Sequence, residues 1–124
     1  MRAEIVERPI DAAELLAEVA RTSNGAAILF VGTVRDVNDG RPVTGMQYAA
    51  YEAMARRELD AITREGAARW KMTDIVVEHR VGTLELGEVS VAIACAHPRR
   101  APVYEASRWI IEELKRRVPI WKLD

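Results

Sequence analysis

The sequence predicts an α+β domain with helices packed against a mainly antiparallel sheet. Apolar residues recur at intervals of three and four in some segments and alternate or run continuously in others. The two kinds of segment are mixed without the strict succession that a parallel α/β fold would show. The chain has 124 residues, 49% hydrophobic and 30% charged, which suffices for one compact domain with a core and is short for two. No low-complexity tract, internal repeat or Gly/Ser/Pro-rich linker divides it, so residues 1–124 are expected to form a single domain.

Ala3 to Glu7 is expected as a short strand. Asp11 followed by Glu14 has the pattern of a capping box, and Ala12, Leu15, Leu16 and Val19 fall at helical spacing, predicting an amphipathic helix that ends near Ser23-Asn24-Gly25. From Ala26 to Arg35 both alternating faces are apolar, with Ala27, Leu29 and Val31 on one and Ile28, Phe30 and Val34 on the other. That pattern predicts a strand covered on both sides. Asp36 to Pro42 contains Asn38-Asp39-Gly40, turn chemistry that should form a loop leading to a strand from Val43 through Tyr48. Ala55, Leu59, Ile62, Gly66 and Trp70 then mark a long helix over Tyr51 to Trp70. Two further strands, Asp74 to Val81 and Val89 to Ala96, are separated by Gly82 and Gly87. The last helix has Pro102 in its first turn, where a missing amide proton costs nothing, and Val103, Ala106, Ile110 and Leu114 on one face; Pro119 stops it.

Composition excludes several functions. Eighteen basic against nineteen acidic residues give a net charge of −1, which argues against a protein that coats nucleic acid. The longest apolar stretches, Gly25 to Val34 and Val89 to Ala96, are about half the roughly 20 residues that a membrane-spanning helix needs. The N-terminus lacks a signal-peptide pattern, so a cytoplasmic protein is expected. Cys95 is the one cysteine, so no cysteine zinc site or disulfide framework can be built within one chain. Neither a metal nor a cofactor is expected.

Any anion site must therefore be local. Arg35 closes a strand, Arg99 and Arg100 precede a helix N-terminus, and Lys115 and Lys122 lie at and beyond that helix's end. Arginines at a strand end and beside free helix amides suit a phosphate. Surface cations are common, however, and Lys115, Arg116 and Arg117 also suit the dipole of a last helical turn. Residue chemistry alone leaves both readings open. Cys95 reads as a small buried hydrophobe, His79-Arg80 as structural, and Trp70, Trp109 and Tyr104 as core.

From Gly25 to the last residue, the chain resembles the large, catalytic subunit of molybdopterin synthase. The segments are Gly25-Ala26-Ala27, Phe30-Val31-Gly32-Thr33-Val34-Arg35, Tyr51-Glu52-Ala53-Met54, His79-Arg80-Val81-Gly82, Leu86-Gly87-Glu88, Glu105-Ala106-Ser107-Arg108-Trp109, Leu114-Lys115 and Val118-Pro119-Ile120-Trp121-Lys122. They occur in order and at familiar spacing. The resemblance implies an α/β hammerhead-type fold and a homodimer within a heterotetramer, with a small ubiquitin-like sulfur-carrier subunit at each end. It implies sulfur transfer from that carrier's C-terminal thiocarboxylate to cyclic pyranopterin monophosphate, giving the molybdopterin dithiolene. By position, Arg35 with Thr33 and Val34, the pair Arg99 and Arg100, and Lys115 and Lys122 would line the substrate pocket. Phe30, His97 and Asp124 are secondary candidates. Lys122 is assigned as the acid/base group and Lys115 as an electrostatic anchor that can assist it. Pro119 means that Lys122 must return to Lys115 through the Pro-Ile-Trp segment rather than by helical periodicity, with Trp121 as its anchor.

Two departures accompany the resemblance. The family usually has His-Arg before the last helix, whereas Arg99-Arg100 stand here with His97 two residues early. Either Arg99 replaces the imidazole, the reading we favour, or the loop around Pro98 brings His97 inward. The family also commonly continues past Trp-Lys-Lys-Glu, whereas Leu123-Asp124 follow Lys122 here, with Asp124 in place of the glutamate. These departures favour one alternative, a relative that docks the carrier without efficient turnover. A generic anion- or RNA-binding domain ranks last because the charge is balanced.

Overall fold

The computed structural model describes residues 1–38, 40–42 and 44–123, without the side chain of Asn38. Asp39 of the expected turn, Val43 at the expected strand start and the candidate Asp124 lie outside the described residues. The order is β1 (Arg2–Val6), α1 (Ala12–Val19), β2 (Ala26–Thr33), β3 (Val37–Asn38), β4 (Arg41–Pro42), β5 (Gly45–Ala50), α2 (Glu52–Trp70), β6 (Asp74–Arg80), β7 (Gly82–Glu85), β8 (Val89–His97), α3 (Arg100–Arg117) and β9 (Ile120–Leu123). This is an α+β fold. Its main sheet is ordered β1-β6-β8-β2, with β1 parallel to β6 and the other pairs antiparallel.

Alternation along β8 builds two layers of core. Val91, Ile93 and Cys95 face a cluster with Ala55, Leu59 and Ile62 of α2 and Val103, Ala106, Ile110 and Leu114 of α3. Ala92, Ala94 and Ala96 point the other way, toward Leu15 and Val19 of α1. Small side chains on that face let the short helix lie close to the sheet. The Asp11 carboxylate accepts the Glu14 amide at 3.2 Å, capping α1 as expected. Burying Leu15 and Val19 supplies about 1.5–3 kcal/mol each, a large part of what attaches an eight-residue helix.

The structure corrects the expectation for the strand after Gly25. β2 is the outer strand of the main sheet, and its second face is only partly covered, with Ala27 exposed and Val31 36% exposed. A register shift between Gly32 and Thr33 ends its pairing, so Val34 and Arg35 lie beyond the strand. The expected loop after it contains a short ladder, with Val37 opposite Pro42 and Asn38 opposite Arg41.

Besides that ladder, two four-residue strands were not expected from periodicity. β7 occupies the interval between Gly82 and Gly87, whose φ values of 98° and 81° allow the chain to leave the main sheet and return. β9 follows Pro119. Together they flank β5 in a second, antiparallel sheet ordered β7-β5-β9. Four-residue strands are too short to announce themselves by alternation.

A carboxylate fixes the outer strand on the opposite edge. Glu78 of β6 is 1% exposed and accepts from Arg2 at 2.7 Å and from Arg8 at 3.0 and 3.1 Å. Burial opposes its ionisation, but the two guanidinium groups outweigh that and hold its carboxyl below the ordinary glutamate range. Removing both partners strands a buried charge. Arg2→Met with Arg8→Met should therefore lower the free energy of urea unfolding by about 3–5 kcal/mol, and adding Glu78→Gln should recover part of the loss. Equal stability of the double variant and wild type would show that Glu78 is hydrated.

Candidate functional site

Lys115 lies in the last turn of α3. The Val118 amide donates to the Leu114 carbonyl at 3.0 Å, but Val118 is already extended (φ −83°, ψ 123°) and Pro119 has no amide to continue the ladder. The Ile120 amide donates back to the Val118 carbonyl at 2.8 Å, and the Tyr51 amide donates to the Pro119 carbonyl at 3.2 Å. The chain is thereby turned onto β5, with Lys122 directly opposite Tyr48. Opposed residues of an antiparallel pair share a face, so Lys122 and Tyr48 project together. Trp121 packs against Tyr51 at 5.0 Å between centroids while remaining 39% exposed, so it anchors the return from the sheet's surface.

The inner wall comes from the main sheet. Alternation on β6 puts Ile75 and Val77 in the core beneath α2 and α3, and His79 follows them on that face while Glu78 and Arg80 face away. The Tyr48 ring meets the His79 ring edge-on, 5.6 Å between centroids at 78°. A cavity of about 90 Å³ results, lined by Lys115, Lys122, Tyr48, His79 and Trp121, with Leu114, Val118 and Ile120 as its apolar part.

Electrostatics differ among these groups. Burial pushes the Lys115 ammonium below the ordinary lysine range, and the positive charge of Lys122 pushes in the same direction. Burial also lowers His79, to about 4; its bond to the Arg80 carbonyl opposes the shift and the Lys115 charge adds to it. That carbonyl, 2.7 Å from Nδ1, can only accept, so Nδ1 holds the proton and Nε2 the lone pair of a neutral ring. Two amines and a neutral imidazole can hold an anion and exchange protons with it.

The other sequence candidates do not all converge here. β2 ends against the start of β8, with Thr33 opposite Val89, and His79 pairs with Val91 nearby. Arg35 and Thr33, both exposed, thus lie at the cavity's end of the main sheet. The Val34 side chain is buried, its amide donates to the Glu88 carbonyl at 3.0 Å, and its carbonyl accepts from Gly87 at 2.8 Å; it positions Arg35 rather than offering groups of its own. Arg99 and Arg100 lie at the opposite end. Fifteen residues of helix separate Arg100 from Lys115, about 22 Å of rise. Arg99 is the N-cap of α3 and makes no side-chain cap bond, leaving the first-turn amides beside two guanidinium groups. The His97 Nδ1 accepts the Arg99 amide at 3.0 Å, so that ring braces the turn.

Phe30 packs on the core and lines a separate shallow groove with Ile28, Leu29, Tyr104, Ser107, Arg108 and Ile111. Tyr104, expected in the core, is 64% exposed on that groove because it projects from the outer side of α3. Trp70 and Trp109 pack edge-to-face at 5.6 Å against the core, and the Trp70 indole donates to Glu105 at 3.1 Å. Cys95 is buried, its thiol pushed up to about 12 by desolvation. Among the described residues, no group of three or more His, Cys, Asp or Glu could hold a metal, and no helix is long and apolar enough to cross a membrane. Sequence reasoning missed Tyr48 and His79 as cavity residues; alternation gave the face of His79 but not what would stand opposite it.

Comparison with known proteins gives the family and the fold. A family model described as MoaE protein matches residues 5–117. The molybdopterin synthase catalytic subunit of Culex quinquefasciatus is 47% identical over 118 residues, 93% of this chain and 74% of that protein. The crystal structure of molybdopterin synthase from Staphylococcus aureus superposes with a TM-score of 0.89 at 34% identity, covering 96% of this chain and 87% of that one. A chain in a protein–protein complex of subunits 1 and 2 of molybdopterin-converting factor from Helicobacter pylori superposes with a TM-score of 0.78 at 26% identity, covering 98% and 83%.

Neutral His79 makes folding sensitive to acid. An unfolded histidine takes up a proton below about pH 6.5, whereas the buried ring does so only near 4, so its contribution is complete above pH 6.5 and is lost as pH falls through that window. Between pH 6 and 5 the unfolding free energy of the wild type should fall by roughly 1 kcal/mol more than that of His79→Asn. Parallel pH profiles in urea titrations would show that the ring titrates freely in the fold.

Proposed function

Because this chain belongs to the MoaE protein family, we infer that it is an enzyme of molybdenum cofactor biosynthesis, the catalytic subunit of a molybdopterin synthase. Its substrate is cyclic pyranopterin monophosphate, and its sulfur donor is the C-terminal thiocarboxylate of a small ubiquitin-like carrier subunit. The observation that supports this site assignment is the convergence of Lys115 and Lys122, from a helix and a separate strand, on one cavity. A thiocarboxylate is already a competent nucleophile. The enzyme must hold two anionic reactants together and move protons as the cyclic phosphate opens and water leaves.

The two amines divide that work. Lys122 supplies positive charge toward the phosphate and the departing oxygen. Lys115, partly desolvated at the cavity wall and beside another cation, is held below the ordinary lysine range, which suits proton transfer. The sequence reading gives these roles the other way, with Lys122 as acid/base group and Lys115 as an anchor that can assist it. Arg35, at the same end of the sheet, holds the phosphate from outside the cavity.

A cavity of about 90 Å³ is a subsite, well below the roughly 300–1,000 Å³ of complete ligand pockets. The remaining wall comes from other chains. The carrier's tail fills one side, and in a homodimer Arg99 of the partner subunit and Arg100 of the partner subunit complete the phosphate site that the length of α3 denies to a single chain. Arg99 binds phosphate in place of an imidazole but does not shuttle protons.

Single-turnover sulfur transfer from a thiocarboxylated carrier tests the site. Lys115→Ala should slow dithiolene formation by about 10²–10⁴-fold, with Lys115→Arg restoring substrate binding but not rate. A Lys115→Ala enzyme of normal rate would sink the assignment. Subunit mixing tests the dimer. Lys122→Ala chains and Arg99→Ala/Arg100→Ala chains, each inactive alone, should regain activity when mixed, because one site of the mixed dimer is then intact. Absence of recovery, with mixed dimers shown to form, would show that Arg99 and Arg100 of one chain do not complete the lysine site of the other.

A further inference from the structure

His79 has a role that neither charge nor reactivity suggests. Its ring forms the inner wall of the lysine cavity, braced edge-on by Tyr48, and its Nδ1–H is committed to the Arg80 carbonyl at 2.7 Å. Among the described residues no hydrogen bond joins it to Lys115. Its influence on that amine must therefore run through solvent exclusion rather than through a shared proton. We propose that His79 is a positioning residue for Lys115, an uncharged ring that closes the cavity's inner wall and shields from water the side of the amine that faces it, on a residue whose outer side is exposed. An aliphatic residue would fill the wall but leave the Arg80 carbonyl without this donor; a protonated ring would add a third cation beside Lys115 and Lys122.

The groups around Lys115 are few enough to separate. Tyr48 faces it from β5, His79 from β6 and Lys122 from β9. On its own helix, Glu112 lies one turn back and is engaged by Arg108 at 2.8 Å. The nearest carboxylate on α3 is thus already paired, and the Lys115 amine is governed by burial first and by Lys122 second. Withdrawing the His79 ring should admit water, stabilise the ammonium and raise its titration midpoint.

This inference rests on Lys115 as the proton-transfer group, but its test needs no substrate. The chain has three lysines, at positions 71, 115 and 122, so each can be followed by mass spectrometry. The full chain is acylated with an amine-directed anhydride across a range of pH, and the Lys115 midpoint is compared in wild type, His79→Ala and His79→Asn, with Lys71 as internal reference. His79→Asn keeps a donor for the Arg80 carbonyl and serves if the alanine variant does not fold. The expected result is a higher Lys115 midpoint in either folded variant, with reactivity near neutral pH falling about tenfold for each unit of the rise and Lys71 unchanged. In single turnover, the pH of half-maximal sulfur transfer should rise with it. An unchanged Lys115 midpoint in folded His79→Asn would overturn the proposal whatever the enzyme does, whereas an inactive wild type with a shifted midpoint would overturn the functional assignment alone.

Discussion

Pro119 cannot donate an amide to α3, and the reversal it enforces closes the second sheet and the lysine cavity together. The carbonyls of Val118 and Pro119 are taken up by Ile120 and Tyr51, which fixes the turn where the helix stops. From there β9 pairs with β5, and that register alone sets Lys122 opposite Tyr48. A slip of one residue would send Lys122 to the other face of the sheet and leave Lys115 without its neighbour. The meeting of the two lysines thus depends on backbone pairing of a four-residue strand.

The main sheet divides electrostatic labour between its faces. On β6, Glu78 faces outward to Arg2 and Arg8, while the next residue, His79, faces the helices and the cavity. One position is a buried charge held ionised by two cations; the other is a buried base held neutral beside a cation. Burial disfavours the charged form of both groups: at Glu78 the two guanidinium groups overcome it, whereas at His79 it prevails and the Lys115 charge adds to it. The same strand therefore ties down the β1 edge and builds the wall of the site.

The rigid length of α3 imposes the other constraint. It separates the N-terminus, which lacks a side-chain cap and carries Arg99 and Arg100, from Lys115, so one molecule presents two cationic ends a helix length apart. A ligand as small as a pterin phosphate cannot span that distance. Within one chain, the two cationic ends therefore cannot act on one small ligand.

The main helices, the central strands and the two core faces were legible in the sequence because long segments repeat their periodicity enough times to exceed chance. Family membership was legible too, since ordered motifs from Gly25 onward are individually weak but jointly specific. The coverage of β2 was misjudged because apolar alternation does not reveal whether a strand has neighbours on both sides, and β7 and β9 were missed because four residues give too little pattern. Sequence could name Lys115 and Lys122 and infer that the chain must double back between them. Only the tertiary structure decided that His79 and Tyr48 stand beside them and that Arg99 and Arg100 do not, because proximity across strands is set by register and sheet order, to which a local residue pattern is blind.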